Sequence, residues 1–305
     1  MVPSLIATLC FALSAVCGHR AARLVGGSEA NFWRLVLATF FLGVWAYGFG
    51  GGLQGTAFPM FAASGLVGIG IGDVAMFQAL PRLGSRLTSL LLQCLSTPFA
   101  ALIEWLWLGT RLTPAELACD AAILLGVSMA LAPGQHLNLA PGALRRGLIF
   151  VVVAAVGNAL GMVLSRKAYE VARFAGETID GGTAAFQRIL CGALLAGVLL
   201  LLARHKEVAT HLTAPRIAGA SVKEKWRLAW PWVMANSLIG MTIGVSFLQL
   251  ALKTTPTGIV LPIIAITPLV VIPLAWRMEG EKPTVRALIG GGIAVAGAAA
   301  LAVVG

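Results

Sequence analysis

Apolar runs of about 20 residues alternate along the chain with short clusters of Arg, Lys, Gly and Pro. At 1.5 Å per residue, such a run crosses the roughly 30 Å hydrocarbon core of a bilayer as one helix. Reading runs between charge clusters and Gly/Pro breaks predicts ten spans, at roughly 3–24, 31–50, 57–80, 86–108, 114–133, 146–168, 183–203, 229–252, 257–277 and 284–304. No stretch between them is long enough for a soluble domain. The longest, Arg204 to Arg227, mixes Lys, Arg, Glu and His and reads as an exposed connecting loop. The expected fold class is therefore an all-α integral membrane protein.

Composition agrees. Of 305 residues, 58% are hydrophobic and 11% charged, and the mean hydropathy of +0.90 excludes an ordinary soluble enzyme. The net charge of +10 does not point to nucleic acid, because the basic residues lie in clusters between apolar stretches, as in membrane loops. Cys10, Cys17, Cys94, Cys119 and Cys191 all fall in apolar runs without a CxxC pair, which suits buried small side chains rather than disulfides or zinc. His19, His136, His205 and His211 never reach the i,i+4 spacing of a metal site, and no GxxxxGK[ST] loop exists for ATP. No cofactor or metal is expected. The first apolar run begins at Val2 with no basic stretch before it, so no cleavable leader is expected.

Self-comparison is more informative than hydropathy. A shift of 172 lays Ser64-Gly68-Gly72 over Asn236-Gly240-Gly244 and Ala79-Leu80 over Ala251-Leu252. A shift of 170 lays Thr97-Pro98 over Thr267-Pro268, and 154 lays Phe32 and Arg34 over Phe186 and Arg188. Small loop insertions produce such drift. The expectation is two halves, 1–140 and 141–305, of five spans each. Five is odd, so the second half enters the membrane from the opposite side. Inverted repeats of this kind are the architecture of secondary transporters, with a duplicated but inert scaffold as the alternative. Counting Lys and Arg gives sixteen in odd-numbered loops against six in even-numbered ones, which puts the odd loops in the cytoplasm and both termini outside.

These residues resemble the drug/metabolite transporter superfamily, EamA type, over nearly the whole chain. The traces are Arg34 and Arg188 early in the second spans, the small-rich third spans ending Ala79-Leu80 and Ala251-Leu252, and Pro98 and Pro268 in the fourth. A Gly-acid turn closes the fourth span as Gly280-Glu281-Lys282, where the first half reads Gly109-Thr110-Arg111. The resemblance implies a ten-helix permease, mostly an exporter or exchanger of amino acids, drugs, nucleotide-linked sugars and other small metabolites. It implies a midplane cavity lined by spans one, three, four, six, eight and nine. It also implies cytoplasmic termini, against the charge count.

Asp73 is the sharpest candidate for coupling or for binding a substrate amine. A lone carboxylate inside a span costs about 2.5–3.5 kcal/mol on insertion scales, so it pairs statically or faces a wet cavity. Glu104, a turn from Gly109 and beside Trp105 and Trp107, is expected to snorkel to the interface. Arg34 and Arg188 either close mirrored gates or anchor helix ends near headgroups. Arg20 and His19 read as anchors. Gly68, Gly72, Gly240 and Gly244 form one face for close helix packing, with Asn236 available for a polar contact. Gln93, Asn158 and Gln249 are buried amides that need partners, of which Gln93 and Asn158 lie near mid-span as cavity candidates. Pro98 and Pro268 remove a backbone bond at matched positions and suggest a mechanical role.

The reading that follows is a bacterial inner-membrane transporter whose partners are a small-molecule substrate and membrane lipids, with proton coupling. A flippase for a lipid or lipid-linked sugar, an intramembrane enzyme and a non-transporting scaffold are the alternatives.

Overall fold

The computed structural model describes residues 2–131, 141–210, 222–267, 269–270 and 285–304. Every regular element among the described residues is helical. In chain order these are α1 (Val2–Val25), α2 (Gly27–Gly48), α3 (Phe58–Gly65), α4 (Val74–Leu108), α5 (Pro114–Leu131) and α6 (Pro141–Phe174). There follow α7 (Gly181–Thr210), α8 (Val222–Ala235), α9 (Val245–Thr254), α10 (Thr257–Ile264) and α11 (Val285–Val304). Two π-helical segments, Leu66–Asp73 and Asn236–Gly244, join α3 to α4 and α8 to α9. Helices are the outcome that lipid permits, because no water is there to bond a free backbone N–H or C=O. Among the described residues, six helical stretches are long and apolar enough to cross a membrane. Phe40, Val44, Leu106, Leu125, Leu194, Leu201 and Leu288 point outward and exposed, while Ser64, Gln187, Arg188 and Gln249 are buried. Such an arrangement suits an apolar solvent. The chain is a multi-pass membrane protein.

Helices exceed the expected spans in several places. α6 runs on to Phe174, and α7 and α8 extend to Thr210 and Val222, into the segment expected to be a loop. Helical geometry also continues through the expected break near 81–86, yet the chain reverses there. From Ser64 to Leu83 the neighbours on α6 step down from Gly161 through Asn158 to Gly147. From Ser96 to Glu104 they climb back from Ala155 to Arg166. A straight rod cannot do both, so α4 folds back on itself between Leu83 and Ser96. α10 ends at Ile264, and all eight of its residues are buried.

Glycine sets the spacing of the central helices. A Cβ on Gly161 would sit 2.8 Å from the Gly68 Cα and 3.1 Å from the Ser64 carbonyl, and one on Gly157 3.1 Å from the Gly72 Cα. Ser64 Oγ donates to the Gly161 carbonyl at 2.5 Å and lies 2.8 Å from Ser165 Oγ. Gly240 packs with equal closeness on Ser14, and a Cβ on Gly244 would sit 3.1 Å from Cys10 Cβ. The first π segment thus packs on α6 and α7, and the second on α1 and α2. α2 and α7 also meet each other, with Phe186 over Gly43 and Phe32 over Gly197, at 3.2 and 3.0 Å from where a Cβ would stand.

Outside the membrane-spanning segments, Asp180 caps α7. Its Oδ1 accepts the Gly182 and Thr183 N–H groups at 2.9 and 3.0 Å and the Trp45 indole at 2.9 Å, and Thr183 Oγ1 donates to Oδ2 at 2.5 Å. Burial pulls the carboxyl up, but these donors outweigh it and hold it below the usual aspartate range.

Gly161→Ala meets backbone that cannot give way, and should cost about 1–3 kcal/mol in detergent unfolding. Gly291→Ala, with open space around it, should leave the midpoint unchanged or raise it by up to about 1 kcal/mol. Because the folded carboxyl of Asp180 titrates below its unfolded value, its cap stabilises fully above the ordinary aspartate pKa and fades as pH falls through the folded one. Asp180→Ala should therefore cost about 1 kcal/mol at neutral pH and progressively less below about pH 4.

Candidate functional site

Asp73 closes the first π segment and lies in the half-buried interior, 24% exposed. Arg34 Nη2 donates to its Oδ2 at 2.9 Å. On α2, Asn31 is one turn from Arg34 and accepts from its Nε at 2.8 Å. On α4, Phe77 is one turn from Asp73 and lies under the guanidinium, 5.3 Å from centroid to Cζ. Helical i,i+3 and i,i+4 spacing thus supplies a second contact on each side of the pair.

Arg188 occupies the corresponding place on α7 but has no such partner. It is 2% exposed, with no carboxylate within 4.0 Å among the described residues. Nη1 reaches the Met162 sulfur at 3.9 Å, and Nε has no hydrogen-bond partner. Glycine makes the fit possible: a Cβ on Gly65 would collide with the Arg188 carbonyl, and one on Gly68 would stand 3.2 Å from Nη2. Asp73 and Tyr169 are both near enough to interact with it electrostatically. Arg34 is half-buried and Arg188 fully buried in the bundle.

The remaining expected residues divide. Asn158 lies beside Gly72 and donates to Ser96 Oγ at 3.3 Å, which brings it next to Asp73. Gln93, half-buried, stands one turn before Thr97, whose hydroxyl donates to the Gln93 carbonyl at 3.2 Å. Asn236 faces Ser14 of α1. Its amide accepts from Ser14 Oγ and donates to the Ser14 carbonyl, both at 3.1 Å, a helix–helix clasp. Gln249 is buried with neither amide atom partnered. Pro98 is exposed on the outer side of α4, and Pro268, like Gly280-Glu281-Lys282, lies outside the described residues. Arg20 stacks 4.5 Å over the Trp232 ring, as an interfacial anchor does.

Glu104 is corrected by the structure. Instead of snorkelling it is 2% exposed, paired with Arg166 Nε at 2.5 Å and accepting the Gly258 N–H at 3.2 Å. The interface reading failed because α6 continues past Ser165 and delivers Arg166 to α4. The signal was present in Arg166-Lys167, a basic pair inside an apolar stretch that resumes at Ala168. Asp120 on α5 was also missed. It is 6% exposed with Oδ1 unpartnered, one turn from Glu116. Glu116 itself forms a reciprocal capping box with Thr113, at 2.6 and 3.2 Å.

Removing one member of a buried pair strands the other charge. Arg166→Met should destabilise by about 3–5 kcal/mol, and adding Glu104→Gln should recover most of the loss, a non-additivity measurable by thermal unfolding in detergent.

Comparison with known proteins fits this geometry. A comparison with curated proteins finds no match. One solved structure, titled only as the crystal structure of a protein, superposes with a TM-score of 0.73 at 17% identity, covering 99% of this chain and 96% of that one. At that identity the likeness shows the fold. The EamA-like transporter family matches residues 2–132 and again 145–303. With both stretches matched, the chain belongs to the EamA-like transporter family, membrane transporters of the drug/metabolite superfamily.

Proposed function

We propose that the protein is a bacterial inner-membrane secondary transporter that exports small polar or amphipathic metabolites, amino acids or related compounds, by alternating access. In this reading its ten membrane crossings form two inverted five-helix halves, residues 1–140 and 141–305. The carrying observation is the reciprocal contact of α2 with α7. Phe32 covers Gly197 and Phe186 covers Gly43, and 186 − 32, 197 − 43 and 188 − 34 all equal 154. An interface where equivalent residues exchange contacts is what a two-fold axis generates. The π segments support the same axis, each packing on the first two crossings of the other half. The fold-back of α4 supports reading 58–108 as two crossings rather than one.

The Arg34–Asp73 pair is then a gate on one side of the molecule. A proton on Asp73 removes the attraction that ties α2 to the first π segment, so proton binding and gate opening are coupled. Asn158 and Gln93 lie toward the same interior and offer amides to a polar substrate. No covalent chemistry is needed, and the protein works as a carrier rather than an enzyme. The Lys and Arg count favours termini outside.

Counterflow into proteoliposomes with a pooled metabolite library tests this. At least one metabolite should accumulate, and Asp73→Asn should lower pH-gradient-driven uptake at least tenfold while leaving gradient-free exchange. Failure of every metabolite under both gradient signs, with scrambling of a fluorescent lipid, would replace the carrier with a flippase.

A further inference from the structure

Two half-buried arginines are answered by a carboxylate, Arg34 by Asp73 and Arg166 by Glu104. Arg188 is not. Guanidinium cannot escape by losing its proton, so burial without an anion is a standing cost that the fold itself does not relieve. Asp73, the acid in electrostatic reach, is already bonded to Arg34 at 2.9 Å. The residue that the 172 shift lays over Asp73 is Val245, buried in an apolar cluster with Ala185 and Ile189. Among the described residues no carboxylate is left to answer it.

We propose that Arg188 binds the carboxylate of an organic anion, and that the metabolites carried are monoanionic acids. The inference rests on the transporter reading for the fate of the ligand and on Arg188 for its charge. A guanidinium presents two parallel N–H groups that match a carboxylate. The Tyr169 hydroxyl is likewise buried without a hydrogen-bond partner and in electrostatic reach of Arg188. Gly68, on the first π segment, keeps a side chain away from the guanidinium. The remaining acceptor, the Met162 thioether at 3.9 Å, is weak and sits on a flexible side chain that an anion displaces. One unanswered cation suits one negative charge rather than a doubly charged phosphate.

The test is ligand-dependent thermal stabilisation of the purified full chain in detergent, using benzoate, hexanoate and N-acetylphenylalanine, each against its own amide. An acid should raise the midpoint by several degrees where its amide does nothing. Arg188→Met should weaken that response at least tenfold, Arg188→Lys should retain part of it, and Tyr169→Phe should weaken it a few-fold. Ligand-free Arg188→Met should be as stable as wild type or more so, since it removes an unanswered charge.

The proposal falls if no acid stabilises wild type, if acids and amides act alike, or if Arg188→Met keeps the acid response. It also falls if ligand-free Arg188→Met melts several degrees lower or does not fold, because the guanidinium then has an internal partner. Exchange of the stabilising acid across proteoliposomes separates the two readings. Binding without exchange sinks the carrier and leaves the anion site; exchange of neutral solutes untouched by Arg188→Met sinks the anion site and leaves the carrier.

Discussion

Backbone-to-backbone approach organises this bundle. In lipid, side chains gain nothing by hiding from their surroundings, so helices associate where their main chains come close enough for dense dispersion contact. Gly68 against Gly161 and Gly72 against Gly157 bring two helix axes nearer than any Cβ would allow. Everything polar in the centre depends on that closeness. Gly65 admits the Arg188 backbone and Gly68 its guanidinium, and Gly72 sets Asn158 against the turn that carries Asp73. The π geometry falls on these same stretches, Leu66–Asp73 and Asn236–Gly244.

Charge is handled in three ways within one interior. Glu104 and Arg166 form a pair with a backbone N–H in support, a static joint between α4, α6 and the start of α10. Arg34 and Asp73 form a partly open pair braced by Asn31 and Phe77. Arg188 has a sulfur contact and an empty Nε. The first ties three elements together, because Glu104 also accepts the Gly258 N–H of α10. The others border the third crossing, whose neighbours belong to the opposite half in the proposed arrangement.

Hydropathy made the helices legible, and the i,i+4 run of small residues made the packing face legible, because both are local patterns. Pairing is not local. Asp73 and Arg34 were each visible as costly residues, but their bond joins positions 39 apart and required the fold to bring α2 beside the π segment. Glu104 was misread for the same reason: Arg166 is far off in sequence, and a charged residue beside tryptophans resembles an interfacial one. Asn236 looked available because a polar residue in a glycine stripe says nothing of what faces it; Ser14 of α1 faces it. The α4 fold-back was anticipated as a break at Arg82 to Arg86, though helical hydrogen bonding persists across it. Asp120 went unnoticed inside Cys119-Asp120-Ala121, where hydropathy averages it away.

In the proposed arrangement, two identical halves would make the inward- and outward-open forms one structure viewed from opposite sides of the membrane, with equal energy and equal occupancy. An acid at 73 and a valine at the matching position 245 would break that degeneracy. One form would gain an ion pair for which its mirror image has no counterpart. The resting orientation would then follow from a single unmatched carboxylate, and a ligand arriving at the unmatched arginine would restore the balance between the two forms.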